Sequence, residues 1–276
     1  MSYVRHLDVL RVLLSYFKLK TSKFMNFIKQ FLIFAIFAAT SVIANADANP
    51  DVWPFLKERM FKNKVINEVD FLKIDGPKRA SSGAQVPVNI KITKQPNVEI
   101  KKLILIIDSN PDQKAATYHL TRKTQELDLS TRIRMETDSF VRVVGEDSEG
   151  KLYMSKVAIR ASGGCSGYMN SQDPKLTKDL GKILVKAKKD YLTTRIKHPN
   201  FNGLQKDSIN GWFVPEWIVT QVRYDFNGES LLVAENGISM SQDPYLKFKF
   251  APEKSGTVTI SATDTKGHIW LKTKSI

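Results

Sequence analysis

One cysteine, Cys165, stands in a chain of 276 residues, so no intramolecular disulfide framework and no cysteine-rich zinc site can form. Histidine is nearly as scarce. His6, His119, His198 and His268 lie far apart, and none has the i, i+3 or i+4 spacing that builds a metal site on a helix. The P-loop, G-x-G-x-x-G and G-x-S-x-G patterns are missing too, which withdraws support from nucleotide-binding and common hydrolase classes. These patterns point to no metal, no cofactor and no catalytic residue. Nor is there an apolar run of the roughly 20 residues that a membrane-spanning helix needs; the longest candidate is residues 31–44.

That run follows Lys29 and ends in Ala44-Asn45-Ala46. A positive charge, a short apolar stretch and small residues at a cut are the parts of a secretory signal peptide. Residues 1–46 therefore read as a signal peptide with an upstream extension, Met25 being a natural start; an uncleaved anchor is the alternative. No twin arginine precedes the run, so the expected route is Sec-type export into the periplasm, with no stable membrane insertion after cleavage.

Charge is unbalanced, with 42 Lys+Arg against 28 Asp+Glu. The excess is spread over both halves of the chain rather than gathered in a stripe, which argues against nucleic acid as a partner. A mildly positive surface suits small anions or an acidic protein.

Past residue 47 the chain reads as short strands. Val86, Val88, Ile90 and Ile92 alternate with Pro87, Asn89 and Lys91, the period of a half-buried strand. Leu103-Ile104-Leu105-Ile106-Ile107 is uniformly apolar, as in a strand covered on both faces. Further strands are predicted at 115–120, 127–135, 140–144 and 152–159, with turn clusters between them. This density of strands points to an immunoglobulin-like sandwich over 47–168. Residues 183–276 repeat the style, with strands at 217–224, 231–234, 245–250, 257–263 and 268–272, and with hairpin turns at Asn227-Gly228 and Thr265-Lys266-Gly267. Between the halves lies a linker, 169–182. Asp173-Pro174 opens a helical period there that runs to Ala187, although Gly181 interrupts it and Ile183-Leu184-Val185 reads equally well as a strand start. The predicted fold is all-β: two immunoglobulin-like β-sandwiches in tandem, joined by a Gly-Cys arm and a short linker.

Cys165 is the chemical feature. Its neighbours Ser162, Gly163, Gly164, Ser166 and Gly167 offer almost no side chain to bury, and glycines leave the backbone free. The expectation is an exposed thiol on a mobile arm rather than a buried small hydrophobe. With no base beside it in sequence, its pKa is expected near the reference ~8.5. Such a thiol is a place to attach something, with activation supplied by a partner.

The first half resembles SoxY, the sulfur-binding subunit of the periplasmic sulfur-oxidation carrier. The matching residues are Val86-Pro87-Val88, Ala116-Thr117-Tyr118-His119-Leu120, Ser130-Thr131-Arg132-Ile133-Arg134 and Gly163-Gly164-Cys165-Ser166-Gly167. The second half is similar to SoxZ through the stretch from His198-Pro199-Asn200 to Asp207, through Val214-Pro215, and through the stretch from Gly237 to Phe250. The resemblance implies a carrier that holds sulfur intermediates on Cys165, with Ser162, Gly163, Gly164, Ser166 and Gly167 as its swinging arm. It implies periplasmic redox enzymes as partners, either Sox-type cytochromes and a hydrolase or a quinoprotein dehydrogenase, and small anionic sulfur species as cargo. Free SoxY ends at Gly-Gly-Cys-Gly-Gly, whereas this chain places Ser166 after the cysteine and continues. It therefore looks like the fused SoxYZ-like carriers that accompany quinoprotein dehydrogenases. Two other readings compete: a non-carrier immunoglobulin-like accessory module of such a dehydrogenase, and a thiol enzyme such as a peroxidase.

Overall fold

The computed structural model describes residues 48–252 and 254–276. The predicted signal peptide, its start at Met25 and its cut after Ala46 lie outside the described residues. The first element is helix α1 (Val52–Phe61), followed by strands β1 (Ile66–Glu68), β2 (Leu72–Asp75) and β3 (Val86–Ile92). Next come β4 (Ile100–Ile107), β5 (Lys114–Leu120), β6 (Leu127–Ile133), β7 (Ser139–Asp147) and β8 (Leu152–Ile159). The segment after Cys165 holds β9 (Gly167–Met169) and a one-turn helix, α2 (Pro174–Thr177). The second half contributes β10 (Ile183–Lys188), β11 (Tyr191–Ile196), β12 (Gln205–Asp207) and β13 (Val219–Phe226). It closes with β14 (Glu229–Asn236), β15 (Tyr245–Lys249), β16 (Thr257–Asp264) and β17 (Ile269–Ser275).

Alternation decides which face each strand buries. In β3, Val86, Val88, Ile90 and Ile92 are buried while Pro87 and Lys91 face out, and β6 buries Leu127, Leu129, Thr131 and Ile133 in the same way. Strand β4 is apolar on both faces for a structural reason. Leu103, Leu105 and Ile107 enter the main core, while Ile106 points the other way and packs with Leu56 and Phe61 of α1 and with Val144, Leu152 and Met154. Each fully buried side chain of this size contributes about 1.5–3 kcal/mol by leaving water.

The two halves share their sheets. Among the described residues one sheet runs β1-β8-β7-β4-β5-β14-β13-β16-β17 and the facing one runs β10-β11-β15-β6-β3-β2. The joins are antiparallel ladders: β5 to β14, with Tyr118 opposite Ala234 and Leu120 opposite Leu232, and β6 to β15, with Leu129 opposite Phe248. One apolar core runs across both joins, from Leu103 and Ile90 to Phe248 and Ile260. The sandwiches are thus fused edge to edge, and neither leaves its joining strand as an open edge.

Several sequence expectations change in detail. The helix predicted from Asp173 lasts only one turn, with Asp173 Oδ1 accepting the Lys175 amide at 2.9 Å. Ile183–Lys188 extends instead as β10, because its backbone groups pair along β11. The turn at Asn227-Gly228 takes left-handed φ values of 51° and 82°, the conformation a two-residue hairpin between twisted strands requires.

Candidate functional site

The segment carrying Cys165 leaves β8 and lies against the junction of the two halves. Gly163 adopts φ +64°, and its amide donates to the Glu136 carbonyl at 2.9 Å, while the Gly164 amide donates to the Met135 carbonyl at 3.0 Å. The Glu136 carboxylate accepts the Cys165 amide at 2.8 Å and the Ser166 amide at 2.9 Å, both on Oε2. The Ser166 hydroxyl donates to Glu136 Oε1. From the other half, Asn202 Nδ2 donates to the Cys165 carbonyl at 2.8 Å. Beyond the cysteine, β9 pairs in parallel with β12. The main chain is therefore held on both sides of the thiol.

Here the structure corrects the sequence reading. Cys165 is not exposed: it is 2% accessible, and Gly164 is buried with it. Ser162, Gly163, Ser166 and Gly167 are exposed as expected. The expectation rested on the lack of side chains to bury, but small residues also let a backbone approach its support closely, and that is what happens. The thiol pKa is likewise not near its reference. Burial, and then the Glu136 carboxylate, push it up to about 11, with Arg134 opposing. In this docked geometry the sulfur is a neutral, shielded thiol with little nucleophilic character.

Arg134 and Glu136, which sequence reasoning missed as site residues, flank Met135 just past the end of β6. Arg134 is 4% exposed. Its Nη1 donates to the Gly164 carbonyl at 3.4 Å, its Nε to the Met240 carbonyl at 3.2 Å and its Nη2 to the Asn200 carbonyl at 3.1 Å. The last two acceptors belong to the second half. Burial works against the ionisation of Glu136, but the hydrogen bonds from Ser166 and Cys165 outweigh it and hold the carboxyl below its usual value. Nothing local signalled these roles: Arg134 and Glu136 lie about thirty residues from Cys165 in sequence, and only the docking of the arm brings them to it.

The loop that supplies Asn200 and Asn202 is braced by a buried cluster. His198 Nδ1 accepts the Asn200 amide at 3.0 Å, and its Nε2 stands 3.5 Å from Asp264 Oδ2. That oxygen also accepts Trp217 Nε1 at 2.6 Å and is 2.8 Å from His268 Nδ1. Burial lowers the His198 pKa to about 4 despite Asp264, so the ring is neutral at pH 7. Burial also disfavours the Asp264 carboxylate, yet the hydrogen bonds from His268 and Trp217 carry its pKa down to about 2. Among the described residues no three His, Cys, Asp or Glu side chains are grouped so as to hold a metal ion.

Exposed aromatics begin three residues after the thiol. Tyr168 on β9 lies opposite Lys206 on β12, and Lys206 bridges to Phe213. The Lys206 ammonium sits 5.3 Å from the Phe213 ring centroid. Tyr168, Phe213, Trp212 and Ile209 are all largely exposed.

Comparison with known proteins follows the two halves. Residues 57–165 match the family model of the sulfur oxidation protein SoxY, and residues 185–275 match that of the sulphur oxidation protein SoxZ. Among solved structures, the sulfur carrier protein SoxY from Chlorobium limicola f thiosulfatophilum is 21% identical and aligns over 40% of this chain and 92% of its own, with a TM-score of 0.35. A superoxide reductase (neelaredoxin) from Ignicoccus hospitalis is 11% identical over 34% of this chain and 81% of its own, TM-score 0.30. The fibronectin(III)-like modules of Clostridium thermocellum CbhA are 12% identical over 73% of this chain and 90% of theirs, TM-score 0.21. No curated relative matches.

Proposed function

Because the chain belongs to the fused SoxYZ-like carriers, a SoxY domain followed by a SoxZ domain in one polypeptide, we propose that Cys165 is the residue on which its sulfur cargo travels. The family makes it a sulfur carrier and not an enzyme. The finer reading is that sulfur intermediates are bound covalently to the Cys165 Sγ and presented to periplasmic redox enzymes, Sox-type or a quinoprotein dehydrogenase.

The observation that carries this reading is the way the arm is held. The thiol sits at the apex of a segment whose flanks, Ser162, Gly163, Ser166 and Gly167, are exposed, and which hydrogen bonds fasten mainly by its backbone. Such bonds contribute about 0.5–1.5 kcal/mol each, more to a charged acceptor, so a partner's competing contacts suffice to lift it. The row Tyr168, Lys206 and Phe213, with both aromatic rings exposed and Lys206 half-buried between them, lies where a partner receiving the arm would press. Loading with thiosulfate joins its outer sulfur to the Cys165 sulfur, and the thiol loses its proton. Two electrons leave for the partner's redox centre, and the product is Cys–S–S–SO3⁻.

Export completes the proposal: the signal peptide delivers the chain to the periplasm, where such partners work. N-terminal sequencing of the exported protein should begin at Asp47.

The deciding experiment is intact mass of the protein purified from its native compartment. A sulfur-containing adduct on Cys165, released by reductant and absent from Cys165→Ala, is expected. The burial of Cys165 favours a second reading, an accessory module whose thiol carries nothing. Adduct-free protein that still supports its partner's activity would establish that reading and overturn the carrier role of Cys165.

A further inference from the structure

Of the two charges that hold the arm, one is answered and the other is not. The Glu136 carboxylate receives three donors, the Cys165 and Ser166 amides and the Ser166 hydroxyl. Arg134 is buried, and its guanidinium meets only carbonyl oxygens, those of Gly164, Asn200 and Met240. Of its five N–H groups, three are thus engaged. The rest make no hydrogen bond, and no carboxylate pairs with it, among the described residues. An arginine cannot shed its charge at any ordinary pH, and a buried cation without a counter-charge is costly.

We propose that Arg134 binds negative charge carried on Cys165, namely the anionic end of a sulfur cargo such as an S-thiosulfonate or S-sulfonate. The inference rests on Cys165 being the attachment point. A guanidinium fork matches a planar or tetrahedral oxyanion with two parallel donors, and the idle N–H groups are available for it. Only when Cys165 is ionised does it favour the charged form of Arg134 against burial; the docked thiol is neutral, so an anionic cargo would supply the charge it lacks. An anionic load is therefore held more firmly at the docked position than a neutral load of similar size. Arg134 would thus sort cargo by charge and keep it from water between partners.

Two reagents separate charge from bulk. The Cys165 thiolate attacks an inner sulfur of tetrathionate, giving Cys–S–S–SO3⁻ and releasing thiosulfate. It attacks the thiol sulfur of methyl methanethiosulfonate, giving Cys–S–S–CH3 and releasing methanesulfinate. Each step makes one bond and breaks one, with no further reactant. The thermal midpoint of the purified protein is then compared for the two adducts. In the wild type the anionic adduct is expected to melt about 2–4 °C above the neutral one, the scale of one good interaction in a protein this size. In Arg134→Met the difference is expected to vanish or change sign, because Glu136 remains. Should that variant not fold, Arg134→Lys, which keeps the charge and loses the fork, is expected to show a reduced difference. Equal midpoints in the wild type, or an undiminished difference in the variant that folds, would overturn the role of Arg134 alone. Failure of Cys165 to accept either adduct would overturn the carrier reading and this inference with it.

Discussion

Gly164 and Gly83 approach each other so closely that neither position has room for a side chain. A Cβ on Gly164 would lie 2.1 Å from the Gly83 carbonyl oxygen, and one on Gly83 would lie 2.3 Å from the Ser162 carbonyl oxygen. These obstacles are backbone atoms, which cannot swing aside. The contact is what lets the segment before Cys165 lie flat on the turn before β3.

Alanine at Gly164 should therefore lift the arm without unfolding the sandwich, since the steric conflict sits outside the main core. The expected result is alkylation of Cys165 by iodoacetamide at least about tenfold faster than in wild type, equivalent to roughly 1.4 kcal/mol of lost docking. Far-UV circular dichroism should be unchanged. Wild-type alkylation rates in Gly164→Ala would show that docking does not control the thiol.

Glu136 should act as an acid-sensitive fastening. Its folded pKa is held below the ordinary 4.5. The stabilisation it gives is therefore present above the unfolded value and is lost as pH falls through the folded one. Reaction of Cys165 with 4,4′-dithiodipyridine, which reads thiols in acid, should accelerate as pH is lowered through this window. Glu136→Gln should react fast at neutral pH as well, both because the latch is weaker and because the carboxylate no longer disfavours the thiolate.

His198 gives stability a second pH dependence. Its folded pKa of about 4 lies below the ordinary 6.5, so the unfolded chain binds a proton more readily. Stability is full above about pH 6.5 and declines as pH falls toward 4, by about 3 kcal/mol over the whole window. Urea unfolding at several pH values checks this, and His198→Asn should flatten the dependence. The same variant should loosen Asn200 and Asn202 and so raise Cys165 reactivity.

The shared sheets predict one cooperative unit. Cleavage of the backbone after the exposed Lys178 should leave two fragments that co-elute in gel filtration and melt together. The β5–β14 and β6–β15 ladders and the core between them hold the halves without the linker. Separation of the fragments at micromolar concentration would mean that the ladders contribute little.

Much of the architecture is legible along the chain, because a strand buried on one face must alternate. Val86-Pro87-Val88-Asn89-Ile90 announces β3, and the unbroken Leu103–Ile107 stretch announces a strand covered twice, though not that α1 is its second cover. The short strands β1, β2, β9 and β12 carry too few residues to show a period, and β10 resembles a helix until β11 pairs with it. The lone thiol and its small neighbours single out the arm as the candidate site from sequence, since the chain holds no second cysteine.

What those small neighbours would do was beyond the sequence. Glycine and serine both loosen a free chain and permit tight docking, and the choice between the two depends on what stands opposite. Here Gly83, Glu136 and Arg134 from one half, with Asn202 from the other, converge on the arm from distant points in the chain. Burial, the raised thiol pKa and the unanswered charge of Arg134 are products of that convergence. Residue type and spacing settle most strands and single out the one thiol, because backbone alternation and the inventory of reactive groups are local matters. Exposure and ionisation depend on long-range packing, and only the tertiary structure decides them.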